Sequence, residues 1–278
     1  MKLKYLGTAA AEGIPAVFCD CENCVKSKKL GGKNIRTRSQ ALVDDTLLID
    51  FPADTYMHYL RENFELSKIR SCLITHSHCD HLYADEIENR KDGFANLSDK
   101  QPLTFYSWDS GYKMIMTEKI NGYVPDSYVK AVNIKPSVDF EVEGYNVTPI
   151  RAAHDPKSDP VVYAIEKDGK RLLYFNDSSE LHEDGMEALR RFRNKPFDLI
   201  SLDCTMGCNE FEWEGHMGLS RCAGFRDTLK AEGVADEHTI FILNHFSHNG
   251  KSVVYDDFVK IAAENDFLVS YDGMEIEF

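Results

Sequence analysis

The segment Thr75-His76-Ser77-His78-Cys79-Asp80-His81 places three imidazoles and a carboxylate within six residues, in the pattern H-x-H-x-D-H. Polar side chains this dense cannot all find partners in an apolar core. Neutral imidazole is the commonest metal ligand and carboxylate complements it, so metal coordination is the chemistry this spacing predicts. The alternating His76 and His78 project differently from the adjacent Asp80 and His81, which suits two neighbouring ions better than one. Two ions about 3.5–4 Å apart can clamp the attacking and leaving oxygens of a hydrolysis.

A second group, Cys19-Asp20-Cys21-Glu22-Asn23-Cys24, has the spacing C-x-C-x2-C. Three thiols on one turn form three-quarters of a tetrahedral structural zinc site. Further candidates each follow an apolar run: Asp50 after Thr46 to Ile49, His154 after Tyr145 to Ile150, Asp177 after Arg171 to Phe175, and His245 with His248 after Thr239 to Leu243. His216 stands in the glycine-bounded loop Glu214-Gly215-His216-Met217-Gly218. Asp50 reads either as a cap or as the partner that orients a metal-bound histidine. Asp177 reads either as a bridge between two ions or as the N-cap of the acidic stretch that follows. Cys204 and Cys208, lacking further ligands nearby, read as structural thiols.

These groups need a scaffold that holds strand ends close together. Cys72-Leu73-Ile74 reads as the short buried strand that delivers the histidine motif. Leu3 to Leu6 is a first strand, followed by a loop of small residues from Gly7 to Pro15 that allows close backbone approach. Gln40 to Val43 and Thr46 to Ile49 form a hairpin about Asp44-Asp45, Thr55 to Phe64 reads as a helix, and a last strand follows Tyr271-Asp272-Gly273. Asp85 to Glu143 is irregular, with Trp108, Tyr112, Tyr123 and Tyr128 among polar residues, and reads as an insertion at about 85–143 that borders the active site. With no repeat, low-complexity tract or linker, residues 1–278 are expected to form one domain.

The chain has 278 residues, 43% of them apolar, enough for a sizeable core. Its 32 basic and 46 acidic residues give a net charge of −14, which argues against non-specific nucleic-acid binding but not against a small phosphorylated substrate. The basic residues from Lys26 to Arg38 are the one concentrated positive patch and read as a solvated face. No signal-peptide core and no membrane-length apolar run are present, so a soluble cytoplasmic protein with reduced cysteines is expected.

Together these motifs resemble the metallo-β-lactamase superfamily, in particular its PhnP-like phosphodiesterase branch of the phosphoribosyl cyclic phosphodiesterase type. The shared features are Leu6-Gly7-Thr8, the three cysteines, the H-x-H-x-D-H segment, His154, Asp177, Asp203-Cys204, His216, His245-x2-His248 and Asp272-Gly273-Met274-Glu275-Ile276. The resemblance implies an α/β fold, an αββα sandwich of two mixed sheets with helices on the outer faces. It implies that His76, His78 and His154 hold one divalent ion, that Asp80, His81 and His245 hold another, and that Asp177 bridges them. The ions would be manganese or zinc, with iron as a third candidate. His248 would join Cys19, Cys21 and Cys24 on one structural zinc, and His216 would contact the substrate phosphate as general acid. The expected function is hydrolysis of a small cyclic or ribosyl phosphodiester, by a chain that could form a homodimer. Alternatives are a tRNA 3′-processing endonuclease, a lactone or lactam hydrolase, and a metal-binding scaffold without activity.

Overall fold

The computed structural model describes residues 1–209 and 214–278. In chain order its strands are β1 (Lys2–Gly7), β2 (Gln40–Val43), β3 (Leu47–Ile49), β4 (Ser71–Leu73), β5 (Leu103–Ser107), β6 (Val129–Asn133), β7 (Phe140–Val142), β8 (Tyr145–Arg151), β9 (Val161–Lys167), β10 (Lys170–Phe175), β11 (Leu199–Asp203), β12 (Ile240–Asn244), β13 (Leu268–Val269) and β14 (Glu275–Glu277). The α-helices are α1 (Glu22–Leu30), α2 (Thr55–Glu62), α3 (Asp109–Asn121), α4 (Glu183–Arg190), α5 (Leu219–Ala231) and α6 (Tyr255–Ala263).

The strands form two seven-stranded sheets, ordered β14-β1-β2-β3-β4-β5-β6 and β13-β12-β11-β10-β9-β8-β7. Each is mixed. In the first sheet the pairs from β14 to β3 are antiparallel and those from β3 to β6 parallel. In the second, β7 to β10 pair antiparallel and β10 to β13 parallel.

Side-chain alternation along the strands builds three apolar layers. Ala41, Val43, Leu47, Ile49 and Leu73 of the first sheet meet Val147, Tyr163, Ile165, Leu172 and Tyr174 of the second. On the opposite face of the first sheet, Leu42, Leu48, Cys72 and Phe105 pack with Ile115 of α3. On the outer face of the second, Leu173, Phe175, Ile200 and Leu243 pack with Leu189 of α4, Phe225 of α5 and Phe258 of α6. Strands covered on both faces read as continuous apolar runs, which is why Leu47-Leu48-Ile49 shows no polar alternation. This is the αββα sandwich that the sequence motifs implied.

The hairpin at Asp44-Asp45 forms with both residues left-handed, at φ 47° and 58°, the conformation that a tight hairpin turn requires. The helix expected from Thr55 to Phe64 ends two residues early, at Glu62, because Asn63 turns left-handed (φ 51°). Residues 85–143 are not an appendage. They supply β5, α3 and β6, which extend the parallel half of the first sheet, and β7, which begins the second. Trp108 from this stretch lines a cavity beside the candidate site. Arg36, counted with the solvated basic patch, is buried, donating from Nη1 to Thr8 Oγ1 (2.8 Å) and the Ser270 carbonyl (2.7 Å). No helix among the described residues is long and apolar enough to cross a membrane.

Candidate metal centre

The candidate residues converge because β3, β4, β8, β10, β11 and β12 all end on one edge of the sandwich. Asp50 follows β3, the histidine motif follows β4, His154 follows β8, Asp177 follows β10, Asp203 ends β11 and His245 follows β12. Two sets of ligand atoms result, each within 4.8 Å: His76, His78 and His154 in one, and Asp80, His81, Asp177 and His245 in the other. All of them are buried except His78 and His154, which are half-buried and face the cavity.

Hydrogen bonds behind the rings decide which nitrogen faces inward. Asp50 Oδ2 lies 2.6 Å from His81 Nδ1, so that nitrogen carries a proton and Nε2 is left as the ring atom facing the centre. The Thr75 hydroxyl donates to Asp50 (2.9 Å) and therefore accepts from His76 Nδ1 (3.1 Å). Across the site, the Thr205 hydroxyl donates to Asp203 Oδ1 (2.8 Å) and accepts from His245 Nδ1 (2.9 Å). His76, His81 and His245 thus all aim an Nε2 lone pair at the centre.

These lone pairs are crowded. His81 Nε2 and His245 Nε2 stand 3.3 Å apart, and His76 Nε2 is 2.9 Å from His78 Nδ1. Asp177 Oδ1 lies 3.0 Å from His245 Nε2 without making a hydrogen bond. Acceptors facing one another at this distance are arranged to share a cation rather than a proton, so the donor set fits divalent ions. Charge agrees. Burial disfavours a second proton on His81, yet Asp177, Asp50 and Asp80 favour it and hold the pKa well above the ordinary imidazole value, so a cation at Nε2 would take the place of that proton. The same surplus of carboxylate charge is what divalent ions would neutralise.

His216 borders both ligand sets and is held differently. Its Nδ1 lies 2.7 Å from Asp203 Oδ2, and its ring stacks on His245 at 5.6 Å between centroids. Burial opposes its charge, but the adjacent Asp203 overrides that and raises its pKa to about 9. Asp203 thus favours the protonated form of this ring. Gly215, at φ +93°, packs so close to His154 that a Cβ would sit 2.7 Å from His154 Nδ1, which fixes glycine at the turn carrying His216.

The cysteine cluster forms a separate group with His248. Cys19, Cys21, Cys24 and His248 offer ligand atoms within 4.8 Å, with Cys21 Sγ 3.6 Å from His248 Nδ1. Burial raises the Cys21 thiol, but hydrogen bonds from His248, Cys24 and Cys19 together outweigh it and the pKa falls to about 6, while burial pushes Cys24 up to about 12. All eight cysteines are free. Three thiols and one imidazole are a donor set that suits tetrahedral zinc. Asn23 Nδ2 donates to the carbonyls of His248 and Gly250, both at 2.9 Å, and so ties the cysteine turn to the loop that follows β12.

Sequence reasoning passed over Asp203 and Thr205 as functional residues. Asp203 obeys the same strand-end rule as Asp50 and Asp177, so its signal was present. Thr205 had none, because a lone threonine in a loop is commonplace. Asp177 is not a helix cap; the residue before α4 is His182.

Two facing mixed sheets, with clustered imidazoles and carboxylates at one edge, define a metal-dependent hydrolase of the metallo-β-lactamase fold. The family model described as "Beta-lactamase superfamily domain" matches residues 47–240, and the chain belongs to that family. A diphosphatase of the PhnP family has the same fold, with a TM-score of 0.75 at 20% identity over 100% of this chain and 97% of that one. Zn(2+)-bound PqqB from Methylobacterium extorquens gives 0.75 at 20% identity over 100% of both chains. The short form of human tRNase Z gives 0.66 at 15% identity over 100% of this chain and 99% of that one. A curated octanoyltransferase of Porphyromonas gingivalis (strain ATCC BAA-308 / W83) is 25% identical over 201 residues, 69% of this chain. The match spans only 38% of that relative's length.

Proposed function

We propose that this protein is a phosphodiesterase that hydrolyses a small cyclic or ribosyl phosphodiester. His76, His78 and His154 would hold one divalent ion and Asp80, His81 and His245 a second, with Asp177 between them. Mixed imidazole and carboxylate donors suit zinc, manganese or iron. Such a pair of ions supplies Lewis acidity toward a phosphoryl oxygen and a nucleophile from water at neutral pH.

The observation that carries this reading is His216, a half-buried imidazole whose Nδ1 is pinned by Asp203 at the border of both ligand sets. A protonated ring there can give its Nε2 proton to a departing alkoxide, while Nδ1 stays bonded to Asp203. Asp203 keeps the ring charged and oriented, and through Thr205 it also sets the tautomer of His245. Asp50 and Thr75 do the same for His81 and His76. The net charge of −14 favours a small substrate over a long polyanion such as tRNA. Cys19, Cys21, Cys24 and His248 would hold one structural zinc that braces the loop after β12.

The test is turnover of bis(p-nitrophenyl) phosphate by protein loaded with zinc, manganese or iron, by protein stripped with chelator, and by His216→Ala. Turnover that needs metal and falls at least a hundredfold in His216→Ala is expected. Absence of turnover with any of the three metals would overturn the reading.

A further inference from the structure

Two motifs that the proposed chemistry leaves without a role, Leu6-Gly7-Thr8 near the first residue and Asp272-Gly273 near the last, meet at one buried histidine. His58 of α2 is fully buried. A Cβ on Gly7 would clash with the Arg38 carbonyl and lie 2.8 Å from His58 Nε2, so only glycine lets β1 pass this close to the ring. Asp272, its side chain 1% exposed, accepts the Thr8 hydroxyl on Oδ1 (2.8 Å) and the Thr37 amide on Oδ2 (2.8 Å). The Thr37 hydroxyl lies 2.6 Å from the same Oδ2 and 2.7 Å from His58 Nε2.

The other ring nitrogen leads to the metal centre. His58 Nδ1 lies 2.6 Å from Gln40 Oε1, and Gln40 Nε2 donates to the Asp50 carbonyl (2.9 Å) and to Thr55 Oγ1 (3.0 Å). Thr55 Oγ1 spends its own hydrogen on the Pro52 carbonyl (2.6 Å), so it accepts from Gln40, and this fixes which end of the amide faces His58. Asp50 needs such a hold. It is left-handed at φ 66°, a conformation that a non-glycine residue keeps only where its surroundings enforce it, and its carboxylate is the partner of His81.

The hydrogens along this chain are tightly constrained. With Gln40 Oε1 beside it, His58 Nδ1 carries a proton. The Thr37 hydroxyl then has one hydrogen for two neighbours, Asp272 Oδ2 and His58 Nε2, both of which accept when the acid is ionised and the ring neutral. The conflict disappears once Asp272 and His58 together hold one further proton. Burial decides where: it raises the Asp272 carboxyl above its ordinary range and lowers His58 to about 4, which puts the proton on Asp272. The charged groups around the pair are Arg36, which reaches Asp272 through Thr8, Arg61 of α2 at 3.5 Å from Asp272 Oδ2, Asp54 before α2, and Glu62 beside Gly273. Arg36 works against a proton on Asp272, and burial outweighs it.

We propose that Asp272, Thr37, His58 and Gln40 are positioning residues of the metal centre, a buried chain around one retained proton that locks the His58 ring and, through the Gln40 amide, holds Asp50 behind His81. This rests on the reading of His81 as a metal ligand and adds to it what keeps its partner in place. It does not depend on which phosphodiester is cleaved.

The test reads the ring first. Long-range proton–nitrogen NMR spectra of zinc-loaded protein, with the His58 signals identified by their loss in His58→Gln, are expected to show a neutral ring protonated on Nδ1 from about pH 6 to 8. An Nε2-protonated ring or an imidazolium in that range would overturn the proposal. Chelator competition on zinc-loaded protein reads the metal centre. Gln40→Met, which keeps the side-chain volume and loses the amide, is expected to weaken retention of the active-site ions about tenfold while zinc at the cysteines stays as in the wild type. His58→Leu should do the same, and His58→Asn, whose amide nitrogen replaces the Nδ1 donor, should recover most of the loss. Wild-type retention in Gln40→Met, equal loss from both kinds of site, or no recovery in His58→Asn would overturn the positioning role. Where a variant does not fold, the ring state in the wild type decides alone. Wild type that binds no ion at its imidazoles removes the metal-centre reading and this inference with it, whereas an intact centre with the wrong ring state removes this inference only.

Discussion

Asp203 holds two imidazoles at once: its Oδ2 lies 2.7 Å from His216 Nδ1, and its Oδ1 accepts the Thr205 hydroxyl (2.8 Å), which in turn fixes His245 Nδ1 at 2.9 Å. One carboxylate at the end of β11 thereby joins the proposed general acid to a proposed metal ligand. Asp50 and Thr75 repeat the device from the other sheet, on His81 and His76. Each sheet thus contributes an aspartate and a threonine whose work is to set tautomers.

From this coupling, Asp203→Asn is expected to lower kcat by about 10²- to 10³-fold, because an amide no longer favours the imidazolium of His216. His216→Ala should cost a similar factor. The double variant should be little worse than either single one, since the two residues act as a unit. Steady-state rates of the three variants on bis(p-nitrophenyl) phosphate check this; multiplying losses would contradict it.

Asp50→Ala removes the acceptor behind His81 and leaves the buried Thr75 hydroxyl without its main partner. Affinity for the active-site metal should fall by about 10- to 100-fold while the fold survives. Chelator competition followed by elemental analysis measures the loss, and unchanged retention of both ions would refute the role assigned to Asp50.

Cys21→Ser should release one zinc per chain and leave the two active-site ions in place, because the cluster with His248 shares no ligand with them. The melting temperature should drop, since bound metal contributes directly to folding. Elemental analysis and a thermal scan on the same sample decide it. An unchanged metal count would exclude zinc at the cysteines.

His58 allows a pH prediction away from the metals. It is fully buried, with Nδ1 2.6 Å from Gln40 Oε1 and Nε2 2.7 Å from Thr37 Oγ1. Burial lowers its pKa from 6.5 to about 4. Between those values the unfolded chain binds the proton and the folded one does not, so stability is lost as pH falls from 6.5 toward 4, by up to about 3 kcal/mol. Urea titrations across this range should show a steeper decline for the wild type than for His58→Gln; equal slopes would mean that His58 charges freely in the fold.

Much of the site was legible in the chain itself. The H-x-H-x-D-H segment and the C-x-C-x2-C turn are local, so their spacing alone points to coordination chemistry. Short apolar runs marked β1 to β4, β8, β10 and β12, because strands covered on both faces leave an unbroken apolar imprint. The strand-end rule then pointed to Asp50, His154, Asp177 and His245.

Tertiary structure decided the remainder. Residues 85–143 looked irregular because β5 and β6 are short and α3 mixes apolar and polar residues, yet packing makes them sheet and helix in the core of the first layer. Arg36 read as a surface cation, and only the fold shows it buried against Thr8 and Ser270. Nothing in the sequence joins Asp203 to Thr205 and His216. Local composition determines which residues can bind metal, whereas tautomer, charge state and the wall of the cavity depend on side chains brought together from distant segments.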